Sequence, residues 1–157
     1  MSRLSLAVQY ACEAQNLPTP TQFRKWVKNA LPIEAEVTLR IVGEDEGRML
    51  NRTYRGKDYA TNVLTFPLTE EPLLMGDIIL CLPVIAKEAQ AQQKSLQAHF
   101  AHLTIHGALH LQGHEHEDEA QAEFMESLET QILQHLGYAD PYHQNNEEPS
   151  LATIKHG

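Results

Sequence analysis

Apolar residues along this chain recur with two different periods, and the switches between them mark out its elements. From Glu36 to Val42 polar and apolar residues alternate and several are β-branched, which predicts a strand with one buried face. Leu4 to Tyr10 is a plausible first strand, although Ala7 to Gln15 could equally open a helix. Asn62–Phe66 and Asp77–Leu82 are apolar, β-rich runs bounded by Pro67 and Gly76, and both are predicted strands.

Elsewhere the period lengthens to that of a helix. Phe23, Trp26, Val27 and Leu31 form an apolar stripe behind Thr19-Pro20, a capping residue followed by a first-turn proline. Glu44 to Arg55 is predicted helical, with Met49, Leu50 and Tyr54 as its inner face. Further helices are expected from Pro83 to about Gln93 and from about Ser95 to Gln112. The last should start near Asp118 and end near Gly137, with Phe124, Met125, Leu128, Ile132, Leu133 and Leu136 facing the core. The fold class that follows is α+β (or α/β), a small mixed sheet of about four strands with helices packed on it. One domain, residues 1–137, is expected; beyond Tyr138 the composition turns to Asp, Pro, Asn, Glu, Ser and His, which predicts a flexible tail over 138–157.

Composition narrows the class. With 157 residues the chain is long enough for one real core. It lacks an apolar run long enough to span a bilayer, and Met1 to Leu6 has no signal-peptide core, so a cytoplasmic protein without a membrane partner is expected. Two cysteines, Cys12 and Cys81, far apart and in no C-x-x-C, read as buried reduced thiols. The net charge of −9 argues at first against a nucleic-acid partner. Its distribution is more informative. Five of the twelve Lys and Arg fall between Arg40 and Lys57, and seven of the twenty-one acids between Glu115 and Glu129, so the chain is polarised.

The chemistry is concentrated in one segment. His106-Gly107-Ala108-Leu109-His110 puts two imidazoles four residues apart on one helical face, about 6 Å apart along the axis. Gly113 can end that helix in a left-handed conformation and turn His116 back as a third ligand. Three neutral imidazoles suit Zn2+ and leave a fourth position for water, the mark of a catalytic rather than a structural ion. The spacing repeats the zincin pattern H-E-x-x-H-x-x-G-x-x-H with one exception, Gly107, where a metalloprotease carries its general-base Glu. The metal site therefore stays and the protease is demoted. His99 and His102 share the helical face of His106 and His110; they read as hydrogen-bonding partners or phosphate donors rather than ligands, and Glu115 and Asp118 as a surface acid and a helix cap.

Four blocks then carry a resemblance: Leu50-Asn51-Arg52-Thr53-Tyr54-Arg55-Gly56-Lys57-Asp58, Thr61-Asn62-Val63-Leu64-Thr65-Phe66-Pro67, Gly76-Asp77-Ile78, and the histidine motif. In this order, over about residues 35 to 137, they resemble the bacterial YbeY family. Ala60 stands where the family often has proline, Asn62 where it often has aspartate, and His114-Glu115 where Tyr-Asp is frequent. The resemblance implies a metal-dependent endoribonuclease specific for single strands. It implies action on rRNA, notably the 3′ end of 16S rRNA, and a part in ribosome quality control, with the small subunit as partner. It also implies one zinc ion on His106, His110 and His116, and an important basic residue at Arg55.

Such a site would act through a metal that acidifies bound water and stabilises charge on phosphorus, with Arg55 gripping a phosphate bidentately. Lys57 could add a phosphate contact, and Asp77 could accept backbone or imidazole hydrogen bonds. No general base stands at a fixed offset from the ligands, so attack by water and attack by the RNA's own 2′-OH both stay open. Two other classes remain: another metal hydrolase, including a peptidase, and a non-enzymatic ribosome-associated factor whose metal only folds the site.

Overall fold

The structure is a computed structural model and describes residues 3–113 and 118–142. The elements run β1 (Leu4–Tyr10), α1 (Pro20–Ala30), β2 (Ala35–Val42), α2 (Glu44–Arg55), β3 (Val63–Thr69), β4 (Leu74–Cys81), α3 (Leu82–Ala91), α4 (Leu96–Leu111) and α5 (Glu119–His135). The chain divides into two compact units, Met1–His114 and Glu115–Gly157.

The first unit is built on a four-stranded mixed sheet in the order β1-β2-β4-β3. β1 and β4 both run parallel to β2, and β3 closes the edge antiparallel to β4. The ambiguous N-terminal segment is thus a strand, with Leu4 opposite Ala35 and Tyr10 opposite Ile41. Strand parity divides the side chains between two faces. Gly76 and Ile78 of β4 lie under Leu111 and Gly107 of α4. Their neighbours Ile79 and Cys81 alternate to the opposite face, where they pack with Val42, Leu64, Leu50 of α2 and Phe66. Helices α4 and α2 therefore cover opposite faces of the β3–β4 half of the sheet.

Local signals explain most boundaries. Thr19 caps α1 by accepting from Gln22 N at 3.2 Å, while the Gln22 side chain accepts from Thr19 N at 2.9 Å. Phe23, Trp26 and Val27 are buried, and Phe23 meets Phe100 of α4 edge-on at 6.0 Å. Both phenyl rings are fully buried, so truncating either should cost about 3–5 kcal/mol.

Two strand boundaries differ from expectation. β3 continues through Pro67 to Thr69, because an edge strand tolerates a residue that cannot donate to the ladder; the register shifts between Pro67 and Thr69. β4 begins at Leu74, two residues before Gly76. That glycine marks a close approach rather than a break, since a Cβ there would lie 2.5 Å from Leu111 Cδ2.

The second unit is carried by α5. Asp118 caps it, accepting from Gln121 N at 2.8 Å, and the helix gives way to a turn at Leu136-Gly137. Met125 and Leu133 are buried as expected, but Phe124 is 57% exposed, a correction to its assignment to the core. It lies at the border of the apolar stripe, and its place on the buried face is taken by Glu129, which is fully buried and accepts a hydrogen bond from Tyr142 Oη. Burial and the adjacent Glu129 carboxylate push the Tyr142 phenol far above its ordinary pKa. Tyr138 N donates to Leu133 O, and Asp140 accepts from Thr130 Oγ1 and Tyr142 N, so residues 138–142 fold back on α5. The rest of the expected tail, 143–157, lies outside the described residues.

Candidate metal centre

Helix α4 is apolar on nearly every side, as its packing on β3, β4, α1 and α3 requires. Ser95 starts it by accepting from Ala98 N at 3.0 Å. Between His99 and Leu111 only His102, His106 and His110 retain contact with solvent. Beyond its first turn, where Gln97 is exposed, the helix thus presents a single stripe to water, and that stripe is entirely imidazole. Along it the ring centroids are 5.9 Å apart for His99–His102, 6.4 Å for His102–His106 and 4.7 Å for His106–His110. The closest pair is the one the motif singles out, and rings at that spacing can each direct a nitrogen to one ion at the usual bond length of about 2.0–2.1 Å.

Gly113 follows with φ +94°, the left-handed conformation the motif requires, and its N–H bonds to His110 O at 3.0 Å. His114, Glu115 and His116 lie outside the described residues, so the structure brings together two of the three expected ligands. Among the described residues no group of three His, Cys, Asp or Glu is poised to hold an ion. The donor set fits zinc as far as it is described: two half-buried imidazoles on a rigid helix, ahead of a glycine turn.

Gly107 has its own structural reason. A Cβ at this position would lie 3.1 Å from Ile78 Cγ2, 3.2 Å from Thr65 Cγ2 and 3.4 Å from Val63 Cγ2. The residue that would be Glu in a zincin is pressed against the sheet, where no carboxylate could stand or reach the imidazoles.

Beneath the stripe lies a hydrogen-bonded relay that the sequence did not disclose. His99 is 2% exposed, and its Nε2 is 2.9 Å from Glu88 Oε1 on α3. Asn62, just before β3, donates from Nδ2 to the same carboxylate at 3.0 and 3.3 Å. Burial disfavours the ionised Glu88, yet the hydrogen bonds from His99 and Asn62, aided by the His99 and His102 charges, hold its carboxyl below the usual range. His99 is therefore a buried partner of Glu88, tying α4 to α3 and β3. A buried histidine signals that some partner exists, but no spacing names Glu88, eleven residues away on another helix. The one trace in the sequence is Asn62, which can donate to a carboxylate where aspartate could not.

Arg55 stands on a different element, exposed at the end of α2. The basic strip around it is mostly neutralised. Arg40 is held by Glu46 at 2.7 Å; Arg48 binds Asp58 through two hydrogen bonds of 2.8 and 3.0 Å; Arg52 lies 3.6 Å from the same carboxylate. The Arg48 hydrogen bond holds the Asp58 carboxyl below its ordinary pKa. Arg55 and Lys57 have no carboxylate partner among the described residues, so Asp58 is not the ion-pair partner of Arg55. Asp77 sits opposite Thr38 and Phe66, and its parity points it to the α2 face, away from α4. Among the described residues it has no imidazole partner; partial burial raises its pKa.

The model for Endoribonuclease YbeY matches residues 9–137 of this chain. The chain belongs to the YbeY family. Similar members include the Endoribonuclease YbeY of Methylobacillus flagellatus, 63% identical over 142 residues, covering 90% of this chain and 95% of the relative. Those of Aromatoleum aromaticum and Verminephrobacter eiseniae are 58% and 55% identical, each over 144 residues, covering 90% and 88% of this chain and 94% of either relative. The solution structure of TM1509 from Thermotoga maritima shares the fold, with a TM-score of 0.57 at 24% identity, covering 92% of this chain and 99% of that one. Among the described residues no helix is long and apolar enough to cross a membrane.

Proposed function

We propose that this YbeY-family chain is a zinc-dependent endoribonuclease that cleaves single-stranded RNA. It acts in the cytoplasm on rRNA of the small ribosomal subunit, trimming the 16S 3′ end and serving ribosome quality control. The observation that carries the reading is the all-imidazole stripe of α4, with His106 and His110 its closest pair, in a chain whose relatives are named endoribonucleases.

In this reading His106, His110 and His116 hold one ion. Zinc supplies Lewis-acid charge that acidifies water and stabilises developing negative charge on phosphorus-bound oxygen. The remaining work falls to the chain. Glu88 and Asn62, through His99, fix the orientation of α4 and so of the ligand pair. Arg55, planar and without a carboxylate partner among the described residues, offers a bidentate grip for a phosphate, and Lys57 a compact charge near it in the chain. The crowding at Gly107 argues against the peptidase alternative, because the general base of that chemistry has no room.

Replacing His110 by Ala should abolish zinc-dependent cleavage of a single-stranded RNA, while a casein-type assay stays blank for wild type. Undiminished RNA cleavage by a clean His110→Ala preparation would overturn the reading. The product ends then separate the two routes: a 2′,3′-cyclic phosphate reports attack by the RNA's 2′-OH, and its absence reports water.

A further inference from the structure

We infer that Tyr54 is a stacking platform for an unpaired nucleobase, with Arg55 and Lys57 as the phosphate contacts on either side of Gly56. The inference rests on the endoribonuclease reading for its ligand, and it names how that ligand is told from a duplex.

Seven large hydrophobic side chains are exposed among the described residues, and Tyr54, at 65%, is the most exposed of them; with Met49 at 43%, this corrects the expectation that both lie on the inner face of α2, whose buried residues are Gly47 and Asn51. Four of the seven, Met49, Tyr54, Tyr59 and Leu68, fall on α2, the loop after it, or the edge strand β3. Tyr54 is not a loose ring. It packs against Phe66 with centroids 5.2 Å apart and planes at 63°, and Phe66 is itself seated in the cluster of Val42, Leu64, Ile79 and Cys81. An edge-to-face pair engages at most one face of each ring, and at 65% exposure the rest of Tyr54 is largely open to solvent.

The segment that follows is pinned. Asn51, 2% exposed, donates from Nδ2 to Tyr59 O at 2.7 Å, and its own carbonyl accepts from Lys57 N at 3.3 Å. The open ring, two cations without carboxylate partners among the described residues and a second exposed tyrosine thus lie within six residues of the chain. Charge decides the occupant. In a chain of net charge −9, the two cations of the basic strip that have no carboxylate partner among the described residues are the ones that closely follow the exposed aromatic in the chain. Aromatic faces beside Arg and Lys are the chemistry that takes unpaired bases and their phosphates, and a base already stacked inside a duplex cannot use them.

The test is equilibrium binding of full-length zinc-loaded protein, followed by fluorescence anisotropy. The probes are fluorescein-labelled 2′-O-methyl single strands of about twelve nucleotides, one carrying bases and one abasic, with their integrity checked afterwards. Tyr54→Ala should weaken binding of the base-bearing strand about tenfold or more and leave the abasic strand unchanged. Tyr54→Phe should bind both like wild type, which separates the ring from the hydroxyl. The inference is overturned if Tyr54→Ala binds the base-bearing strand as wild type does, if it loses both probes equally, or if wild type itself does not prefer bases. Failure of the nuclease reading looks different: Tyr54-dependent binding by a zinc-loaded protein that cleaves no RNA would sink that reading and leave this one standing.

Discussion

Gly107 offers the sharpest quantitative test of how α4 is held. Alanine replaces glycine inside a helix with a gain of about 0.8–1.0 kcal/mol wherever the new methyl meets open space. Here it does not. The added carbon would come within 3.1 Å of Ile78 Cγ2 and 3.2 Å of Thr65 Cγ2, both tighter than ordinary van der Waals contact. Thr65 is half-buried on the edge strand and can yield, but Ile78 is fully buried on β4, between β2 and β3, and its β-branched side chain is stiff at χ1. Overpacking of this kind costs about 1–3 kcal/mol, so the net expectation for Gly107→Ala is a loss of about 0–2 kcal/mol. Urea denaturation with a shared m-value reads it directly. Gly107→Glu adds a buried unpaired carboxylate to a larger clash and should not yield a folded chain. A Gly107→Ala variant that is more stable by the full helix-propensity gain, or a folded Gly107→Glu, would refute the close approach of α4 to the sheet.

Three further outcomes are expected. Glu88→Ala should lower stability by about 1–3 kcal/mol, since it removes the charged acceptor of both His99 and Asn62. Because the folded Glu88 pKa lies below its ordinary 4.5, the stability it contributes is present above that pH and is lost as pH falls through the folded value. The gap between wild type and variant in urea midpoints should therefore close in acid, and a gap that is constant with pH would contradict an ionised Glu88 as the acceptor of these hydrogen bonds. Arg55→Ala and Lys57→Ala should each make the salt dependence of single-stranded RNA binding shallower, by about 0.7 in log Kd per log salt, whereas Arg40→Ala, already held by Glu46, should change it little. Gly113→Ala meets no neighbour but must adopt φ +94°, so it should cost about 1–2 kcal/mol and weaken zinc binding measured by competition with a chromogenic chelator; unchanged stability would deny the left-handed turn.

Legibility in the sequence followed the range of the forces involved. Short-range signals were readable: the Thr19-Pro20 and Asp118 caps, the alternation of β2, and the left-handed Gly113 all have local causes, and all stand in the structure. Pro67 and Gly76 misled because their meaning depends on neighbours far along the chain, an edge position for one and Leu111 for the other. Phe124 misled because period alone cannot tell the centre of a stripe from its border. The basic strip was visible as composition, but only the fold shows that Glu46 and Asp58 neutralise most of it and leave Arg55 and Lys57. The His99–Glu88–Asn62 relay joins α4, α3 and the start of β3; the sequence marked His99 as a hydrogen-bonding residue and Asn62 as a possible donor, but no local signature named Glu88.

Metal stoichiometry tests the central claim most directly. Full-length protein purified without chelator, and its His106→Ala, His110→Ala and His116→Ala variants, would be weighed for zinc by plasma mass spectrometry with circular dichroism as the folding control. The account predicts one zinc per wild-type chain and little or none in each folded variant. Wild-type zinc content in any one of the three, with the fold intact, would contradict it.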